Sequence, residues 1–365
     1  MSEGITGPVA RHFEELPSGE LECRVCPRLC RLSPGQRGFC FVRGRPRRED
    51  DHDPPTIRLT THGRSSGLCI DPIEKKPLAH FLPGTPVLSL GTAGCNLACK
   101  FCQNWESSRA RDFDGRQQAA EPEALARAAA EAGCRSIALT YNDPVIFLEY
   151  AVDCARAARA RGLRAVAVSA GYVLPGAREE LFGVMDAANI DLKAFTEDFY
   201  WRQTGGHLEP VKETLVALAR QEGLWLELTV LVIPTLNDSE AELRALAAWV
   251  AAELGPEVPL HLSAFHPDFR LRALPATPAR TLRRARGWAR AEGLRHVYTG
   301  NVHDPEGDAT HCAGCGEVLI ERDWYELLAW RLTPEGACPT CGAALAGVFE
   351  ARPGRWGRQR LPLRL

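Results

Sequence analysis

The chain has 365 residues, enough for one large domain with small additions. Its formal net charge of −2 gives no electrostatic reason to expect nucleic acid or an anionic membrane as a partner. No apolar run approaches the roughly 18 residues that a membrane span needs, and the first 20 residues lack the apolar segment of a secretory signal. We therefore expect a cytoplasmic protein.

The 14 cysteines are concentrated in three groups. In a reducing compartment, clustered cysteines are more often metal ligands or catalytic groups than disulfides. Three others, Cys69, Cys134 and Cys154, stand alone in the sequence. The grouped cysteines are Cys23, Cys26, Cys30 and Cys40; Cys95, Cys99 and Cys102; and Cys312, Cys315, Cys338 and Cys341.

The first cysteine group lies in a polar, arginine-rich segment that we assign to residues 1–80. Its spacing, C-x2-C-x3-C-x9-C, supplies four thiolates, which suffice for zinc or for a second [4Fe–4S] cluster. A second cluster would relay electrons or anchor a substrate, whereas zinc would only fix the extended segment in place. The spacing leaves both alternatives open.

Residues 81–300 alternate between short apolar runs and helical, alanine-rich stretches. Such alternation predicts a parallel sheet. Polar signatures follow the strands one after another, and in a β/α barrel all those strand ends open on one face. We therefore predict an α/β fold with a partial (β/α)6-type barrel. The predicted strands are 86–90, 136–140, 165–169, 189–192, 226–233, 260–264 and 296–298, and the predicted helices are 122–132, 145–161, 177–184, 209–222, 239–253 and 279–291.

The second cysteine group, C-x3-C-x2-C, follows the first strand of this predicted barrel. Its thiolates, Cys95, Cys99 and Cys102, can bind three irons of a cubane cluster. The loop supplies no fourth cysteine, so one iron would stay open, as in catalytic rather than structural metal sites. The alternative is a zinc or redox-inert site, but zinc sites usually pair two C-x2-C turns.

Two later polar segments also follow predicted strands. Alternate residues of a strand share one face, so Asp191 and Lys193 should point the same way while Leu192 packs outward. The pair is either a surface ion pair or a binding feature. Asp143, directly before Pro144, suits the N-cap of a helix.

The third cysteine group lies in residues 301–350, beyond the strand–helix alternation. The pairs Cys312/Cys315 and Cys338/Cys341 are two glycine-backed C-x2-C turns with 22 residues between them. This spacing predicts a zinc-ribbon-like domain, in which Zn²⁺ stabilises a segment with a small core. A rubredoxin-like mononuclear iron uses the same four thiolates and is the alternative. Residues 351–365 form a basic tail.

The central triple is similar to the signature of the radical S-adenosylmethionine (SAM) enzymes, C-x3-C-x-Φ-C, with Phe101 as the aromatic residue. The segments DPIEKKPLAHFLPG, YNDPVIFLEY, DLKAFTEDFYWRQTGG and VYTGNVHD together resemble the AmmeMemoRadiSam-system radical SAM enzymes. That branch is related to the pyruvate-formate-lyase activating enzymes. The resemblance runs from about residue 20 to residue 345.

This resemblance implies a [4Fe–4S] cluster on the central triple, with SAM bound at the open iron. One electron then cleaves the sulfonium bond, and the resulting 5′-deoxyadenosyl radical abstracts hydrogen from a substrate. The family's GGE-like segment is replaced here by YNDP, so backbone contacts to the methionyl group are expected there. The residues that the resemblance places at the cofactor are Asn142, Asp143, Ser169, Asp191, Lys193 and His266.

Three hypotheses for the activity follow. The first is a radical enzyme that acts on a protein or peptide, and the second is one that acts on a small molecule inside a barrel sealed by the outer domains. The third is a non-catalytic metal-binding scaffold. The resemblance also implies an electron donor and, as partners, Memo-like and AMMECR-like proteins, whereas nucleic acid and membrane are not expected.

Overall fold

A computed structural model describes residues 4–47, 54–111 and 117–365. Within them the largest sheet has nine strands in the order β8-β7-β6-β5-β4-β3-β2-β1-β9. Strands β2 to β8 pair in parallel, and β1 is antiparallel to both of its neighbours. The strands are β1 Gly67–Pro72, β2 Pro86–Gly91, β3 Ser136–Leu139, β4 Arg164–Ser169, β5 Ala187–Asp191, β6 Trp225–Val232, β7 Leu260–Ala264, β8 Val297–Gly300 and β9 Leu361–Leu363.

Six longer helices alternate with the parallel strands in the described chain. Local signals explain their ends. The hydroxyl of Ser239 accepts a hydrogen bond from the amide of Glu242 and so caps the start of one helix, and Gly162 follows the end of another with φ of 74°. The predicted strands and helices are confirmed to within a few residues. The helices are α1 Pro122–Glu131, α2 Leu148–Arg159, α3 Pro175–Phe182, α4 Glu209–Ala219, α5 Glu240–Glu253 and α6 Ala279–Ala291.

Shorter elements fill the connections. Short helices and turns are Ile73–Lys75, Trp105–Ser108, Pro144–Phe147, Glu197–Phe199, Tyr200–Thr204 and Pro305–Asp308. Small strands outside the main sheet are Phe13–Glu15, Leu21–Cys23, Arg31–Leu32, Arg43–Gly44, Arg58–Leu59, Arg64–Ser65, Gln118–Ala119, Thr310–His311, Val318–Asp323 and Glu326–Trp330. No helix among the described residues is both long enough and apolar enough to cross a membrane.

The order of the parallel strands positions the site. From β2 to β8, each strand pairs with the next one in the chain, so the crossovers all step in one direction. A doubly wound sheet would instead reverse its order at a switch point. The carboxyl ends of β2 to β8 therefore lie at one edge of the sheet. Within the described residues β8 and β9 form the two sheet edges and do not pair with each other.

The sheet extends beyond the predicted range of 81–300 at both ends of the chain. Gly67–Pro72 pairs with β2, and Leu361–Leu363, within the predicted basic tail, pairs with Gly67–Pro72 on the outside. The sequence shows no strand signal for Leu361–Leu363 because three residues are too few to display alternation. Its central Pro362 is tolerated because proline can occupy an edge strand.

A buried ion pair fastens the N-terminal segment to α2. Arg43 donates to Glu149 from both terminal nitrogens, at 2.7 and 3.1 Å, and also donates to the carbonyl of Arg11. The two side chains are only 2% and 3% exposed. Burial alone would raise the pKa of Glu149, but the Arg43 guanidinium outweighs it and holds that pKa below its usual value.

We expect Arg43→Ala to lower the free energy of unfolding by about 3–5 kcal/mol, because it leaves the Glu149 carboxylate buried without its partner. The matched control is Arg202→Ala, which removes an exposed pair with Asp198 and should cost less than about 1 kcal/mol. Urea denaturation of both variants measures the difference. Equal urea midpoints for the two variants would show that the buried Arg43–Glu149 pair contributes no more to stability than an exposed ion pair.

The C-terminal segment forms a separate three-stranded antiparallel sheet with its own small core. It packs against the main sheet. Arg322 donates to the carbonyl of Ala79 at 2.8 Å, and a parallel bridge joins Phe81 to Val348. These contacts join the segment to the connection between β1 and β2, and Asp323 also lies 3.9 Å from His303, just beyond the carboxyl end of β8.

Candidate functional site

A cavity of ≈450 Å³ lies against the inner face of the sheet. Strands β4 to β8 and the segments that follow β2 and β3 all contribute side chains to it. The C-terminal segment adds Arg322, Trp324 and Tyr325. A volume of this size is typical of small-molecule and cofactor sites.

The central cysteines line this cavity together. Cys95, Cys99 and Cys102 are the cysteines that the described residues contribute to its wall, so a fourth thiol is not supplied. Their sulfurs do not all lie within 4.8 Å of one another, unlike those of the C-terminal group. A cubane cluster binds each cysteine through a different iron, so its ligands stand further apart than ligands sharing one ion. The triple therefore fits a cluster with one open iron.

Burial affects the ionisation of these thiols. It raises the pKa of Cys99 to about 11, although the ammonium of Lys193 acts in the opposite direction. Burial also raises the pKa of Cys95, and the Asp143 carboxylate adds to the effect. The thiolates consequently need a bound cation to be stable, and metal binding will release their protons.

Asn142, predicted at the cofactor, fixes the cysteine loop. Its side-chain oxygen accepts from the amide of Thr92 at 2.9 Å, and its nitrogen donates to the carbonyl of Gly94 at 3.0 Å. Asn96 adds a second brace by donating to the carbonyl of Tyr172 at 2.8 Å. Asn142 lines the cavity, but these bonds make it a positioning residue for the loop.

Asp143 and Ser169 lie side by side at the same edge of the cavity. The hydroxyl of Ser169 donates to Asp143 at 2.9 Å, and the amides of Ala170 and Val145 donate to the same carboxylate. The bond to Val145 is the predicted N-cap. Burial raises the pKa of Asp143, and the three hydrogen bonds oppose that shift.

Asp191 and Lys193 point the same way, as the alternation predicts. The ammonium of Lys193 donates to the Asp191 carboxylate at 3.0 Å, and both line the cavity. The same ammonium lies 5.9 Å from the ring centre of Phe101. In the sequence Phe101 stands between Cys99 and Cys102. Burial alone would lower the pKa of Lys193, but the negative charges of Asp191 and Cys99 outweigh burial and raise that pKa above its usual value. The lysine therefore stays charged.

His266 does not contribute to the cavity. It is exposed two positions beyond the end of β7, while the preceding Phe265 is buried and its amide donates to the hydroxyl of Thr277. The histidine that lines the cavity is His261, inside β7. The structure thus brings together five of the six predicted cofactor residues and leaves His266 outside.

Several polar residues of the site lie within the strands, where the sequence motifs do not predict them. Glu227 on β6 is fully buried and accepts from the ring of His261 at 2.6 Å and from the amides of Ala79 and His80. Tyr298 on β8 contacts the His80 ring at 2.5 Å. The sequence does contain one signal for them, which is a charged residue inside an otherwise apolar strand. A buried carboxylate needs hydrogen-bond donors, so such a residue indicates an inward-facing polar network.

Two polar atoms of side chains that line the cavity have no hydrogen-bond partner among the described residues. They are Oε2 of Glu74 and Nε of Arg322, on side chains of residues that are 9% and 5% exposed. The other oxygen of Glu74 accepts from the amide of Gly84 at 2.6 Å. Burial raises the pKa of Glu74 to about 7, with Arg322 opposing the shift.

A pH-dependent stability follows from Glu74. Because its folded pKa lies above the ordinary 4.5, its contribution is fully present below about pH 4.5 and is lost as the pH rises through about 7. We expect Glu74→Gln, which cannot ionise, to gain roughly 3 kcal/mol relative to the parent between about pH 5 and about pH 8. Thermal melts across that range measure it. The exposed Glu335→Gln is the control, and parallel pH profiles for parent and Glu74→Gln would contradict the assignment.

The C-terminal cysteines form a compact set. Their four sulfurs all lie within 4.8 Å of one another, with Cys312 to Cys341 at 3.5 Å and Cys315 to Cys338 at 3.6 Å. Ligands on a tetrahedral ion with metal–sulfur bonds of about 2.3 Å stand about 3.8 Å apart. The geometry therefore fits a single metal ion.

Comparison with known proteins agrees with this geometry. The model of the radical SAM superfamily matches residues 89–247, which contain the central cysteines and the Asp191–Lys193 pair. An uncharacterized protein of Methanocaldococcus jannaschii is 39% identical over 335 residues, which are 91% of this chain and 97% of that protein. The chain contains a radical SAM superfamily domain. This domain implies a [4Fe–4S] cluster and SAM as cofactors, whereas the N-terminal and C-terminal cysteine groups lie outside the matched residues.

Solved structures are similar to this chain at low identity. A domain of a pyruvate-formate lyase-activating enzyme from Bacteroides vulgatus has a TM-score of 0.41 and 13% identity, covering 46% of this chain and 99% of that one. A radical SAM methyltransferase from Sphaerobacter thermophilus has a TM-score of 0.46 and 18% identity, covering 65% and 71%. SuiB of Streptococcus suis, solved with SAM, has a TM-score of 0.46 and 12% identity, covering 63% and 53%.

Proposed function

We propose that this protein is a radical SAM enzyme that cleaves SAM reductively and abstracts hydrogen from a substrate in the central cavity. The observation that supports it is the convergence of three cysteines and a lysine, whose side chain is only 12% exposed, on one cavity. When bound, the reduced [4Fe–4S] cluster supplies the electron that splits the sulfonium bond of SAM, giving methionine and a 5′-deoxyadenosyl radical that takes the hydrogen atom.

The chain's own residues bind and orient the cofactors in this proposal. Lys193 supplies a largely enclosed positive charge beside Cys99, which stabilises the anionic thiolates and suits the carboxylate of a methionyl group. The oxygens of Asp143 already accept three hydrogen bonds. Asp143 therefore acts by fixing the backbone after β3 and β4, and backbone groups there are the ones available to the methionyl amine.

The test is the release of 5′-deoxyadenosine. Protein reconstituted anaerobically with iron and sulfide, then given SAM and a strong reductant, should form 5′-deoxyadenosine together with methionine. Omitting the reductant is the control and should give none. A reconstituted, reduced protein that forms no 5′-deoxyadenosine would leave the non-catalytic scaffold as the better hypothesis.

A small-molecule substrate is the second candidate, and one observation favours it over an extended polypeptide. Arg322, Trp324 and Tyr325 of the C-terminal segment line the cavity and so close part of its wall. The same cavity is lined by Glu74 and Arg322, each of which has a buried atom without a hydrogen-bond partner among the described residues. Incorporation of deuterium into 5′-deoxyadenosine distinguishes the candidates, because the label will come from a metabolite pool in one case and from a labelled protein in the other.

We further propose the finer assignments that the sequence motifs support. They are the AmmeMemoRadiSam-system subtype, an open (β/α)6-type barrel, a zinc ribbon at residues 301–350, and a cytoplasmic location with Memo-like and AMMECR-like partners. The compact C-terminal sulfurs support the ribbon, and the one-directional strand order supports the barrel. Anaerobic co-purification with proteins of those two partner classes tests the subtype, and their absence from the eluate would count against it.

A further inference from the structure

The N-terminal cysteines enclose a space of their own. Cys23, Cys26, Cys30 and Cys40 all line one small cavity of ≈20 Å³, separate from the central one. They come from different turns of the N-terminal segment, yet the fold brings all four to the same wall. Four free thiols around one space form a donor set that soft metal ions and iron–sulfur clusters bind.

The spacing of the sulfurs distinguishes this set from the C-terminal one. Among the described residues, the C-terminal four have ligand atoms that all lie within 4.8 Å of one another, and no three of the N-terminal sulfurs meet that limit. The central triple also fails it, and the radical SAM match covers that triple. The N-terminal set therefore has the wider spacing of cluster ligands, which bind separate irons.

The backbone supports the same distinction. The C-terminal set consists of two equivalent turns, each closed by one backbone hydrogen bond. The amide of Gly316 donates to the carbonyl of Cys312, and the amide of Gly342 donates to the carbonyl of Cys338, both at 2.9 Å. Such paired turns are typical of zinc sites. In the N-terminal set a single turn closes from Leu29 N to Cys26 O.

The remaining N-terminal ligand comes from another part of the segment. Cys40 lies in a loop closed by Gly38 N to Arg43 O and by Phe41 N to Gly38 O. The second equivalent turn of a zinc ribbon is therefore replaced by an irregular loop.

The surroundings offer donors to sulfur. The amide of Phe39 donates to Cys30 Sγ at 3.4 Å. Arg28 lines the cavity, donates from Nε to the carbonyl of Asn96 at 2.8 Å, and has a buried Nη2 without a hydrogen-bond partner among the described residues. Hydrogen bonds and positive charge of this kind stabilise anionic cluster sulfurs.

We propose that Cys23, Cys26, Cys30 and Cys40 bind a second [4Fe–4S] cluster, with all four irons ligated by cysteine. The site adjoins the central one. The backbone of Cys40 packs so closely on Gly94 that a Cβ atom there would lie only 2.1 Å from the carbonyl oxygen of Cys40, and Gly94 directly precedes Cys95. Asn96, on the other side of Cys95, also lines the N-terminal cavity. The two centres thus share one wall of the protein.

The test uses the full chain with Cys95, Cys99 and Cys102 all replaced by alanine. After anaerobic reconstitution we expect this variant to retain about four iron and four sulfide ions per chain, with the Mössbauer spectrum of a cubane cluster, against about eight of each in the parent. The C-terminal site should hold one zinc in both. Adding Cys30→Ser and Cys40→Ser to the variant should remove the remaining sulfide.

Two results would overturn the proposal: two zinc ions and no sulfide in the triple-alanine variant, or a parent with only about four iron and four sulfide ions. If the triple variant does not fold, the parent's iron and sulfide counts and Cys30→Ser in the parent background decide the question. The proposed function can fail independently, because a parent that forms no 5′-deoxyadenosine can still contain both clusters.

Discussion

Replacing Cys99 with alanine is expected to reduce 5′-deoxyadenosine formation to the level of a reaction without reductant. Cys99 is the middle ligand of the central triple, and the fold supplies no further cysteine to the cavity wall among the described residues. With two thiolates left, three irons can no longer each have a protein ligand, so the cluster with one open iron is not maintained. Chromatography of quenched, anaerobic reactions measures the product.

The matched control for this variant is Cys134→Ala. Cys134 is a buried cysteine outside the three groups, 3% exposed and packed in the main core. Its replacement removes a sulfur without touching the cavity, so the product yield should stay near that of the parent. A Cys99→Ala protein that kept the parent's yield would show that the central triple does not bind the catalytic cluster.

Replacing Cys338 with serine is expected to unfold the C-terminal segment. That segment has only a small buried core, and structural zinc contributes an apparent ~10–16 kcal/mol to the folding of small domains of this kind. The variant should lose one zinc per chain and become cleavable by a protease within residues 301–350. It should also lose the cavity wall that Arg322 and Trp324 provide.

The control is Thr340→Ser, which changes an exposed residue in the same turn without altering a ligand. It should retain zinc and resist proteolysis like the parent. Zinc analysis together with limited proteolysis measures both properties. A Cys338→Ser chain with the parent's zinc content and digestion pattern would exclude a structural metal at this site.

Much of the fold follows from local patterns that the sequence displays openly. The β-strands from β2 to β8 are apolar runs separated by helices with clear ends, so their order could be predicted. Strand alternation predicted that Asp191 and Lys193 point the same way, and they do so although β5 ends at Asp191. The ligand groups were visible because cysteine spacing is independent of the surrounding fold.

Other features depended on contacts between distant residues. Leu361–Leu363 becomes a strand only because β1 offers it an edge. His266 follows a strand end like the other predicted site residues, but a buried Phe265 turns its side chain to solvent. The His261–Glu227 pair depends on the register between β6 and β7, which no local pattern reveals.

Electron paramagnetic resonance of the reduced protein, recorded with and without SAM, tests most directly whether one iron of the central cluster is open. In the parent, SAM should shift the signal of the reduced cluster, because it binds at the iron that lacks a cysteine ligand. The variant with alanine at positions 95, 99 and 102 should show no SAM-dependent change. A parent spectrum that SAM leaves unchanged would contradict the assignment of Cys95, Cys99 and Cys102 as the radical SAM site.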